Sequence, residues 1–106
     1  MIGSTLGLQN HNKQAVVFSS AKFALRGVVH SLRTHLKHDN IGITALNLGD
    51  LATDHPDEAE EVILSRFNHS LIPLSDVIKA LKFIISTTNG SCIKEIDMPS
   101  MKDNDI

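Results

Sequence analysis

The residues able to do chemistry in this chain are few, and the densest group is Phe18-Ser19-Ser20-Ala21-Lys22. Two side chains four residues apart on a helix share one face. An ammonium at Lys22 would lower the pKa of an acidic group carried at position 18. Phe18 has no acidic proton, so a proton would have to come from Ser19, Ser20 or a water, and a serine hydroxyl is a far weaker acid than a phenol. A further hydroxyl, Ser4, lies in Gly3-Ser4-Thr5-Leu6-Gly7. As a phosphate loop this stretch is weak. No strand–helix–strand unit surrounds it, and no ribose-binding acid follows at the expected distance.

Other constellations carry less. There are six histidines, but His30 with His35 and His35 with His38 lack the four-residue step of a helical metal pair. His11, His55 and His69 fall in predicted loops or at helix ends, so no metal is expected. Asp57, Glu58, Glu60 and Glu61 read as a solvated helix start rather than a calcium loop. The formal net charge of -2 gives no reason to expect nucleic acid or an anionic membrane surface as partner. No apolar run approaches a membrane span, and the N-terminus lacks the features of a signal peptide. The single cysteine, Cys92, allows no internal disulfide and fits a reducing, cytoplasmic setting.

The elements that must position these residues follow from periodicity. With 106 residues, 42% of them hydrophobic, one small domain is expected. Met1 to Leu8 reads as a strand end running into a loop. From Gln14 to about Lys37 the pattern is helical, with Val17, Ala21, Ala24, Leu25, Val28, Leu32 and Leu36 as the apolar stripe. His30, Arg33, Thr34 and Lys37 fall on the opposite side, and Gly27 is explained by close packing. Ile41 to Leu48 suits a strand buried on both faces. Pro56-Asp57-Glu58 looks like a helix start, with Ala59, Val62, Ile63 and Phe67 as its apolar side. Ser75 is placed to cap a further helix through about Ser86. Cys92 to Met98 reads as a second, more polar strand nearer an edge. Strands alternating with helices imply a parallel sheet: an α/β chain forming part of a doubly wound, Rossmann-like domain.

In this order the motifs resemble the C-terminal part of the short-chain dehydrogenase/reductase family. Ile2 to Gly7 is similar to that family's serine-bearing loop after the fifth strand. Phe18 to Lys22, continued by Phe23-Ala24-Leu25-Arg26-Gly27, resembles its Tyr-x-x-x-Lys helix. Asn47 to Thr53 resembles its Pro-Gly-x-x-x-Thr loop, with Leu48 where proline is usual. Ile72 to Val77 and Ile93 to Ile96 resemble its last helix and strand. The resemblance implies NAD- or NADP-dependent oxidoreduction of small carbonyl or alcohol substrates. It assigns Ser4 to the substrate oxygen, and Lys22 to the cofactor ribose and to electrostatic support of the acid. Gly49 and Thr53 go to the nicotinamide side, and Phe18 to the position of the acid.

Phe18 cannot transfer the proton. A positioned acid or base contributes roughly 10²–10⁴-fold, so about 3 kcal/mol of barrier lowering or more is missing. The family's glycine-rich turn is also absent, and with it the helix N-terminus on which a pyrophosphate sits. The expectation is a single C-terminal half-domain over residues 1–106, inactive as it stands, or a non-catalytic assembly module, or a truncated product. In the family's strand order Ile41–Leu48 lies between the first strand and Cys92–Met98. With so short a first strand, the most apolar strand is expected to show an almost bare edge, a strand-exchange hazard. The chain should therefore be poorly stable alone, pair with itself, or pair with a separate N-terminal half. The outward face of the long helix offers a pairing surface.

Overall fold

The computed structural model describes residues 1–5 and 16–102. The expected loop and cap residues between Leu6 and Ala15, and the charged end of the tail, lie outside the described residues. The elements are β1 (Ile2–Ser4), α1 (Val16–Leu36), β2 (Ala45–Leu48), α2 (Glu60–Arg66), α3 (Leu74–Ser86) and β3 (Glu95–Met98). The three strands form one parallel sheet in the order β1-β2-β3. The strand neighbours are those expected, and the more polar strand is an edge. A parallel three-stranded sheet with flanking helices is a partial Rossmann-like fold.

β2 is the centre of the molecule. Ala45, Leu46, Asn47 and Leu48 are all buried, and Val29, Ala52, Ile63 and Ile72 complete the buried apolar set. The strand is shorter than the apolar run Ile41–Leu48 that announces it. Ile41–Thr44 lies outside the ladder, and side chains and the amino terminus hold its carbonyls and Thr44. Arg33 Nε donates to Ile43 O at 3.1 Å, Thr44 Oγ1 to Ile93 O at 2.6 Å, and the Met1 ammonium to Thr44 O at 2.6 Å. Cys92–Lys94 is likewise outside β3.

The predicted bare edge is not on β2. Ile2, Gly3 and Ser4 pair with Leu46, Asn47 and Leu48, and Ala45 through Leu48 pair with Glu95 through Met98. Three residues of β1 suffice to cover the central strand, and the open edge passes to β1 itself. Gly3 makes this approach possible, because a Cβ there would fall on the side-chain oxygen of Asn47.

α1 reverses the expected orientation. The residues turned toward the sheet are Ser19, Lys22, Leu25, Arg26, Val29, Arg33 and Leu36, of which Ser19 and Val29 are buried and the others partly so. Most of the predicted stripe faces out: Val17 is 81% exposed, Val28 48% and Leu32 38%. The cause lies in the covered sheet face. Glu95 and Asp97 project from that face, with backbone carbonyls at its lower end, and they draw the cations inward. The helix stops where expected. Asn40 adopts the left-handed conformation, φ 58°, and Ile41 N donates back to Leu36 O.

Two helix starts also differ. Ala52, His55 and Glu58 are linked by successive turns, so Pro56 and Asp57 sit in a turn and α2 begins at Glu60. Of its expected apolar side, Ile63 is buried and Val62 is exposed. Pro73, in extended conformation, takes the cap position of α3, which leaves Ser75 inside the first turn.

Candidate functional site at the C-terminal edge of the sheet

In an open parallel sheet, ligands bind beyond the carboxyl ends of the strands. Here those ends form one row: Ser4, Leu48 and Met98 are in register across the sheet. α1 runs antiparallel to the strands: Arg26 and His30 meet Glu95 at the start of β3, and the later Arg33 meets Ile43 O and Lys94 O, before β2 and β3 begin. Ser19 lies seven residues before Arg26, about 10 Å along a helix. Met98 lies three residues after Glu95, about 10 Å along a strand. The first turns of α1 therefore stand level with the row of strand ends, and α1 packs on β1.

Phe18 and Lys22 do share a face. The Lys22 ammonium lies 5.4 Å from the centroid of the Phe18 ring, a cation–π contact. The charge that would lower the pKa of a phenol at this position rests instead on a ring face with no proton to give. Of the two serines considered as substitutes, Ser19 is buried on the sheet side and Ser20 is exposed. Thr5, also buried, adds a hydroxyl residue just past β1 that the sequence reading passed over.

Gly49 has a structural task. Its N–H donates to Met98 O at 2.9 Å. A Cβ would stand 3.1 Å from Pro99 Cα and 3.2 Å from Ser100 N, so glycine lets the loops after β2 and β3 meet. Thr53 is exposed in a turn beyond the Leu51–Ile72 bridge, where Ala52 N and Ile72 N each donate across to the facing segment. The structure thus brings Phe18 and Lys22 into contact and sets Ser4 and Gly49 at strand ends. Thr53 stands apart in its turn.

Below this edge lies a polar network that the sequence reading missed. Glu95 accepts from Arg26 Nε at 2.8 Å and Nη2 at 3.1 Å, and lies 2.8 Å from His30 Nε2. The Arg26 guanidinium holds the Glu95 carboxyl well below its ordinary range, to about 2, against the opposing effect of burial and with help from His30. One strand pair further along, Asn47 Nδ2 donates to Asp97 Oδ1 at 2.9 Å. Arg33 also bridges to Lys94 O at 2.7 Å. The signal was available. Glu95 and Asp97 alternate on one strand face, Arg26, His30 and Arg33 recur at helical steps, and Asn47 is the polar exception in an apolar strand. Among the described residues, no three His, Cys, Asp or Glu side chains are grouped to hold a metal ion, and no helix is long and apolar enough to cross a membrane.

The fold has close counterparts among solved structures. A 4-hydroxyisoleucine dehydrogenase complexed with NADH matches with a TM-score of 0.67 over 92% of this chain, at 15% identity. An NADPH-bound short-chain oxidoreductase from Pseudomonas aeruginosa PAO1, with an atypical catalytic center, matches with a TM-score of 0.71 over 97%, also at 15% identity. The chain spans 43% and 44% of the length of those two proteins. No family model matches the sequence, and no curated protein does. The likeness is one of fold: this chain has the architecture of somewhat less than half of a short-chain oxidoreductase.

A dinucleotide does not fit the described residues as a whole. Among the described residues no glycine-rich turn leads from a strand into a helix, the feature on which a pyrophosphate is cradled.

Proposed function

We propose that this chain is the catalytic-side half of a short-chain dehydrogenase/reductase-like protein. The type activity is NAD(P)-dependent carbonyl/alcohol oxidoreduction, and this chain does not carry it out. The observation behind this reading is the Lys22–Phe18 contact at the N-terminal end of α1, level with the carboxyl ends of a parallel sheet. The lysine is placed to serve an acid, and the residue beside it is not one. Ser4 and Lys22 keep substrate- and ribose-facing roles, Gly49 and Thr53 belong to the cofactor side, and Phe18 is a pocket wall. The nucleotide's phosphates require a complementary half, from another chain or another segment. One solved structure of like fold, the Pseudomonas oxidoreductase, is itself described as having an atypical catalytic center.

A chimera tests this reading. The part of the Pseudomonas oxidoreductase outside the match is joined to this chain in place of its own matched portion. The folded chimera is expected to bind NADPH and to leave carbonyls unreduced. Phe18→Tyr within it should raise reductase turnover by roughly 10²-fold or more. A folded chimera that binds no NADPH overturns the reading, and a Phe18→Tyr chimera that binds but gains nothing overturns the assignment of position 18.

A second reading, a non-catalytic assembly module, is favoured by a specific observation: the exposed apolar side of α1.

A further inference from the structure

A second concavity lies at the opposite end of the sheet from Phe18 and Lys22. α1 ends at Leu36 and α3 at Ser86, while β2 and β3 begin at Ala45 and Glu95. The connecting segments 37–44 and 87–94 meet beyond the amino ends of these two strands. Thr44 Oγ1 donates to Ile93 O at 2.6 Å, and a Cβ on Gly42 would stand 3.6 Å from Cys92 Sγ. Between these segments and the last turns of the two helices is an open cavity of about 570 Å³, within the range of small-molecule pockets. No residue of β1 lines it, so its walls do not depend on what lies beyond that strand.

The lining has one sign of charge. Arg33 and Lys37 both face it, and among the described residues no Asp or Glu lines it; Asp39, two residues after Lys37, does not. Arg33 is fixed in place, with Nε on Ile43 O at 3.1 Å and Nη2 on Lys94 O at 2.7 Å. Two of its five donors are used and its charge is not neutralised. Lys37 is exposed and enters no ion pair among the described residues. Two helix carboxyl ends also point this way, and each carries about half a negative charge. Their carbonyls are answered from within the chain. Leu36 O accepts from Ile41 N, Phe83 O from the Ser86 hydroxyl and Ile84 O from the Thr87 hydroxyl. Two full cations outweigh two capped half-charges. Beside the cations the wall is apolar and open to water: Ile41 is 49% exposed and Ile85 80%.

We propose that this cavity binds a small organic anion, a carboxylate carried on an apolar body. The carboxylate sits at Lys37 and Arg33, where charge-assisted hydrogen bonds are the strong ones. The apolar body covers Ile41 and Ile85, removing from water the surface that the chain itself leaves exposed. An inorganic anion meets the same cations and gains nothing from the isoleucines, and a neutral amphiphile gains the isoleucines without the cations. The occupant therefore needs both parts. A bound anion also ties segment 37–44 to the end of α3, so it stabilises the fold by mass action. The inference stands on this geometry and does not depend on the redox reading, whose residues lie at the other end of the sheet.

Octanoate is a suitable probe, with octanamide as its neutral counterpart and inorganic phosphate as the anion without an apolar body. Each is titrated into the isotope-labelled chain and followed by amide NMR. The expected result is saturable binding of octanoate, with the largest shifts at Gly42, Gly90 and Cys92, and at least tenfold weaker binding of octanamide and of phosphate. Lys37→Glu should weaken octanoate binding roughly tenfold, while Lys82→Glu, at an exposed position outside the cavity, should not. Ile85→Asp removes apolar wall at a residue the fold leaves exposed, and should weaken binding with the amide spectrum otherwise preserved. Failure of octanoate to saturate at millimolar concentration overturns the proposal. So do shifts centred on the exposed side of α1, octanamide binding as well as octanoate, or octanoate binding unchanged by both Lys37→Glu and Ile85→Asp.

Discussion

The two flanks of the sheet are built differently. On the β2–β3 side, four residue pairs stand in register, and the Arg26–Glu95, His30–Glu95, Asn47–Asp97 and Arg33–Lys94 contacts tie helix and strands together. On the β1 side, a three-residue strand carries an exposed isoleucine and a glycine. The difference teaches where this chain is self-sufficient. One flank ties helix and strands together through side chains, and the other ends the sheet of the described residues at β1. A Rossmann-like sheet extends through such an edge, and the solved relatives in fold carry more than half of their length beyond the matched region.

The largest test of this contrast uses one cross-strand pair. Ile2 and Leu46 are partners in register, yet Leu46 is 1% exposed and Ile2 53%. Leu46→Ala should cost about 3 kcal/mol through the cavity it leaves. Ile2→Ala should cost less than about 1 kcal/mol. Urea denaturation of both variants checks this, and equal losses would erase the distinction between the flanks.

Gly3→Val comes next. The new side chain would displace the Asn47 amide and with it the bond to Asp97. A loss of about 2 kcal/mol is expected. Gly3→Val with Asn47→Ala should recover part of it, since the obstructing oxygen is gone.

Glu95→Gln sharpens the account of the anchored flank with a smaller effect, about 1 kcal/mol, because Arg26 and His30 are partly exposed to water. The sign of its pH dependence follows from the lowered pKa. Glu95 falls from an ordinary 4.5 to about 2 in the folded chain. Its contribution is therefore full above pH 4.5 and is lost as the pH falls toward about 2. Acid titrations followed by circular dichroism should show Glu95→Gln flattening stability across that window. An unchanged acid profile would mean that the Arg26 pair is not what protects the carboxylate.

Much of the fold was legible. Alternation of helical and apolar segments announced a parallel sheet; the strand order came from the family resemblance, and the apolar run Ile41–Leu48 read as a strand buried on both faces. Helix α1 was located correctly but turned the wrong way. Periodicity shows that a helix has an apolar face, not what lies opposite its polar one. Here the sheet presents Glu95, Asp97 and unpaired carbonyls, and it took the arginines. Strand lengths were overestimated, because an apolar run does not reveal where its neighbour begins; β1 starts at Ile2, so Ile41–Thr44 lies outside the ladder. The Phe18–Lys22 contact was readable from spacing alone. The structural demand on Gly49 was not, since it arises from the Pro99–Ser100 backbone fifty residues on.

Under the proposed function, one side of an oxidoreductase site is present, and the described residues carry neither its acid nor a cradle for nucleotide phosphates. The most direct measurement is a titration of NADH and NADPH into the purified chain, followed by nicotinamide fluorescence, with circular dichroism establishing that the chain is folded. The account predicts no saturable binding. Saturable binding at micromolar nucleotide would contradict it, because the chain would then build the phosphate site that its described residues do not supply.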